Sequence, residues 1–81
     1  MKIHLIQGQF STKDAIGIIT KMIDVKIKFQ EEKIKSSDNE EDVKMRESRI
    51  KSLQKELYES RKLIESSGET VAIESEISIE K

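Results

Sequence analysis

One histidine, His4, and two runs of acids, Glu31-Glu32 and Glu40-Glu41-Asp42, are the side chains here whose types can move protons or hold a cation. His4 has no Ser or Cys nucleophile in a recognisable motif beside it, and one imidazole cannot supply metal-ligand spacing. Both acidic runs fall on surfaces expected to be solvated, where raised carboxyl pKa values are not expected, so acid–base work is not expected of them. A calcium loop needs ligands spread over about twelve positions around a central glycine, and residues 36–42 have no such pattern. With no cysteine there is neither a disulfide framework nor a thiolate metal site. Lys21, Lys28 and Lys35 recur every seven residues and share one helix face, a spacing that can touch phosphates. Asp24, Glu31 and Glu32 border that face, which reads as mixed surface charge. No catalytic, cofactor-binding or metal-binding residue is assigned, no cofactor is expected, and the chain reads as a non-enzyme.

The elements that would position these groups follow from periodicity. Ser11 to Lys35 carries most of the large apolar side chains, namely Ala15, Ile16, Ile18, Ile19, Met22, Ile23, Val25, Ile27, Phe29 and Ile34. At about 100° per residue they span an arc of roughly 200°, wider than one partner helix covers. The arc is nearly unbroken to Ile23. Beyond it, Lys26, Gln30 and Lys33 enter its middle, so the second half reads as a more exposed arm. Ser11 is the expected cap, accepting from the Asp14 N–H. A second helix, from about 40 to 66, places Val43, Ile50, Leu53, Leu57 and Ile64 on a seam about 80° wide. Met45 and Leu63 fall outside it. The break at residues 36–39 should hold a capping box, Ser37 with Glu40 or Asp38 with Glu41. An antiparallel turn there pairs residues whose numbers sum to about 77, setting Ile34 against Val43, Ile27 against Ile50 and Ile23 against Leu53. With Ile19 near Leu57, the two patterns agree. That agreement is the reason to expect a helical hairpin.

Residues 2–7 read as a short strand with Ile3 and Leu5 on one face, ended by Gly8. Residues 70–79 alternate Val71, Ile73, Ile77 and Ile79 with Glu74, Glu76, Ser78 and Glu80, a half-buried strand with an acidic outer face. The expectation is a single α+β domain over residues 1–81: strand about 2–7, helix about 12–35, turn about 36–39, helix about 40–66, strand about 70–79. The two strands pair antiparallel at the open end of the hairpin.

Composition narrows function. Apolar residues make up 35% and charged residues 38% of 81 positions, with no proline, which suits long helices in a helical assembly better than a compact enzyme core. Residues 1–36 hold seven Lys against four acids, and residues 67–81 hold one Lys against four Glu. The two ends are therefore complementary, suited to pairing with each other or with another copy. The net charge of −1 lacks the basic excess of a general nucleic-acid binder. No apolar run approaches the roughly 20 residues of a membrane helix, and the N-terminus has no signal-peptide pattern, so a cytoplasmic location is expected.

In order of elements, a strand and then two helices, the chain resembles the ribbon-helix-helix repressors, small dimers that lay a strand in the DNA major groove. Their first helix is much shorter than the roughly 24 residues here, and they lack a C-terminal strand of this kind. The resemblance implies a small dimeric DNA-binding or regulatory protein as the alternative reading. The leading expectation is a non-enzymatic assembly or interaction module acting as a homodimer or higher oligomer, joined through its strand edges.

Overall fold

A computed structural model describes residues 1–81. The order is β1 (Lys2–Ser11), α1 (Thr12–Lys35), α2 (Glu40–Glu65) and β2 (Thr70–Ser78). β1 and β2 form one antiparallel two-stranded sheet. The expected strand–helix–helix–strand order is present, and α1 has the bounds that its caps predict. α2 ends one residue earlier than expected, at Glu65, with Ser66 as its cap.

The local causes are legible. Ser11 accepts from the Asp14 N–H at 3.1 Å and starts α1. Beside it, the Thr12 hydroxyl donates to the carbonyls of Gly68 (2.9 Å) and Glu69 (3.2 Å), and the Thr12 N–H also donates to Glu69 at 3.2 Å. One residue thus clasps the start of α1 to the connection leading into β2. Gly68 sits in that connection at φ +93°, a conformation that a Cβ would strain.

The cap of α2 differs from expectation. Asn39, not Ser37 or Asp38, holds the start, its side-chain oxygen accepting from Glu41 N–H (2.8 Å) and Asp42 N–H (3.2 Å). Ser37 instead accepts from the Asn39 N–H at 3.3 Å, so it shapes the turn rather than the helix. The physical reason is that one Asn oxygen next to the first turn satisfies two orphan donors at once.

β1 is longer than expected, running on past Gly8 to Ser11. Gly8 stays in the strand at φ +147°, opposite Ile73, and a Cβ there would lie 4.0 Å from the Phe10 ring. A bulge between His4 and Ile6 leaves Leu5 without a partner. The bulge reverses the phase of the first residues. Ile3 and Leu5 therefore do not share a face: Ile3, Ile6 and Phe10 oppose Ile77, Ser75 and Val71, while Leu5 is half exposed. Pairing continues to the ends, where the Met1 amine donates to the Ile79 carbonyl (3.0 Å) and the Ile79 N–H to Met1 (2.7 Å).

The whole is one layer. Its extents are 46 × 32 × 13 Å, and its radius of gyration of 15.2 Å exceeds the about 12 Å of a globular chain this long. Only Ala15, Leu53 and Ile64 are buried. Ile19 and Ile23, on the unbroken part of the α1 arc, are only half-buried, because helix packs beside helix and strand beside strand with few contacts between the two pairs.

Candidate interaction surface

The groups that opened the sequence reading stay apart. His4 is exposed and its Nδ1 lies 3.6 Å from Glu76 Oε2, a carboxylate it shares with Lys2 (3.9 Å). The complementary ends of the chain therefore meet within one molecule. Glu31 and Glu32 are exposed on α1, and Glu40 and Glu41 occupy the first turn of α2. Asp42 turns to Arg46, 3.1 Å from its Nε. The Ser37 hydroxyl first, and then the Arg46 guanidinium, hold the Asp42 carboxyl below its ordinary range. Lys28 is bound by Asp24 at 3.0 Å, and that hydrogen bond raises its pKa. No cluster of three His, Asp or Glu side chains converges on a point where a metal ion could sit. No helix is long and apolar enough to cross a membrane.

Two polar residues outside every sequence motif carry the one side-chain hydrogen bond that links the helices. Arg46 Nη1 donates to Gln30 Oε1 at 2.8 Å while its Nε holds Asp42. The signal was available: 30 and 46 obey the same antiparallel pairing as the apolar residues, and Gln30 follows Ile23 and Ile27 on the side of α1 that faces α2.

What the surface offers instead is apolar area. Val25 (68% exposed) and Phe29 (52%) stand out from α1, and Leu63 (68%), Tyr58 and Met45 from α2. Met45 and Leu63 lie off the α2 seam, as their spacing predicts. On α1, Ile18, Met22, Val25 and Phe29 follow steps of four, three and four, which makes a second seam distinct from the one facing α2. The Lys33 ammonium lies 5.6 Å from the Phe29 ring centroid at its border. An apolar row of this kind is area that another surface would remove from water. No family model matches the chain, and it has no match among curated proteins or solved structures.

Proposed function

We propose that this protein is a non-enzymatic assembly module that acts in the cytoplasm by associating with further copies of itself. One observation carries the reading. The single chain exposes 6566 Å², where a compact chain of 9.4 kDa exposes about 5,000 Å². The excess of about 1,500 Å² per chain is about 3,000 Å² for a pair, within the range that permanent homodimers bury. Two facts support it: three buried residues are too few to make a core for 81, and the exposed apolar residues recur at regular spacing on α1. The experiment is sedimentation equilibrium from low to high micromolar concentration. A dimer or larger species is the expected result. A 9.4 kDa monomer throughout overturns the reading.

A further inference from the structure

We infer that two copies of this protein meet through the apolar face of the β1–β2 sheet, each sheet packed on the same face of its partner. This rests on the self-association reading and names the surface at which the copies meet. The pairing register sets the face. Residues opposite each other in an antiparallel pair share a side, so Ile3 with Ile77, Gly8 with Ile73 and Phe10 with Val71 line one side, joined by Ile6 beside Ser75. The bulge at Leu5 carries Ile3 onto that side. Lys2, His4, Gln7, Glu74 and Glu76 all fall on the other, where Glu76 holds Lys2 and His4. One face of the sheet therefore has no charged side chain, and the other has every charge of the two strands. Most residues of the uncharged face are half-buried, but it opens toward its free end, where Ile77 is 39% and Ile79 53% exposed.

A second copy is the occupant that this surface fits. The chain's excess area is that of half a dimer. A two-stranded sheet is marginal in water until its apolar face packs on another layer, and a molecule 13 Å deep supplies none. Laid sheet on sheet, about 10 Å apart, the contact closes on itself by a two-fold axis. No charge meets a like charge there, because the face holds none. The other self-contacts lack that property. Laying α1 antiparallel on α1 sets Lys21 of each copy near Lys28 of the other, and joining β2 edges lays two rows of glutamates side by side. The β1 edge is interrupted by the Leu5 bulge and by Gly8, features that discourage edge pairing.

The same substitution at neighbouring residues on opposite faces tests the contact by sedimentation equilibrium. Ile77→Glu puts a carboxylate from each copy between two apolar faces and should weaken self-association at least about tenfold. Ser78→Glu adds that charge to the outer face and should change the affinity by less than about twofold. Circular dichroism of each variant confirms that it remains folded. The chain has no cysteine, so single introduced cysteines read the contact independently. Ser75→Cys, in the middle of the face, should be captured as a covalent dimer by a short bismaleimide, and Ser78→Cys should not. A parent dimer that the two glutamates affect alike, or that is captured as readily through Ser78→Cys as through Ser75→Cys, overturns the contact while leaving self-association intact. A parent that stays monomeric overturns both.

Discussion

Arg46 and Gln30 join the two helices through a 2.8 Å hydrogen bond, and the same guanidinium holds Asp42 on its own helix. The Arg46 side chain is only 20% exposed, so this bond is better shielded than the molecule's other ion pairs.

Arg46→Ala should therefore destabilise by about 1–2 kcal/mol, the loss of one charge-assisted hydrogen bond and one packed side chain. Lys55→Ala removes an exposed pair at 4.0 Å and should change stability by under about 0.5 kcal/mol. Urea denaturation at neutral pH separates the two. Equal effects would show that Arg46 does not link the helices in solution.

Leu53 and Ile64 are the two large apolar side chains that the fold buries. Replacing either by Ala should cost about 2–4 kcal/mol. Leu63→Ala, one residue from Ile64 but 68% exposed, should cost under about 0.5 kcal/mol. Ile19→Ala and Ile23→Ala should fall between. If Leu63→Ala proves as damaging as Ile64→Ala at high dilution, the face assigned to α2 is wrong.

Acid should act through the Asp42 carboxyl. Its folded pKa lies below the ordinary 3.8, so the folded state favours the charged form. The stabilisation is complete above about pH 5 and is lost as pH falls through 3.8 and then through the depressed folded value. The difference in thermal midpoint between the parent and Asp42→Asn should shrink steadily over that interval. A difference that stays constant down to pH 2 would place the origin of the effect elsewhere.

Amide exchange reads the last strand directly. Protection is expected between Val71 and Ser78 at the residues whose N–H groups face β1, and the clasp at Thr12 should be protected with them. Removing residues 70–81 should unfold the protein or aggregate it, because Phe10 and Ile6 lose the strand that covers them. A soluble truncated chain with intact helices would make the hairpin self-sufficient.

With no basic excess, duplex DNA should not be bound below roughly 10 µM at physiological ionic strength. Gel retardation of random and genomic fragments checks this. Sequence-selective retardation would bring the repressor-like alternative to the front.

The helices were legible because their signals are local. Ser11 lies three residues before Asp14, the apolar steps repeat, and two independent seams agree on one antiparallel register. The strand β1 was legible only to Gly8, since a glycine after an alternating run reads as a stop unless its partner strand is known. The Leu5 bulge left no trace at all: leucine is as acceptable in a paired position as in an unpaired one, and pairing across 70 residues sets the register. Asn39 was passed over because Ser37 and Asp38 each stand three residues before a glutamate, as a capping box requires, whereas Asn39 stands three before Asp42. Depth of burial was the largest gap. Spacing placed Ile19 and Ile23 on the correct side of α1, but how much water they lose depends on whether a second layer lies over them. The interaction surface was legible as an arc too wide for one neighbour, without the uncharged sheet face, because only the Leu5 bulge brings Ile3 onto the side of Ile6 and Phe10.

Met1 and Ile79 exchange hydrogen bonds, so the chain begins and ends at one corner of the sheet. Anything attached to the two ends pulls from the same point. A load applied there does not shear β1 along β2; it unzips the strands one hydrogen-bonded rung after another, beginning at Met1 and travelling toward the clasp at Thr12. The sheet is thus mechanically the soft part of the molecule. The helical hairpin, with its turn at the opposite end from the clasp, carries no tension until every rung has parted.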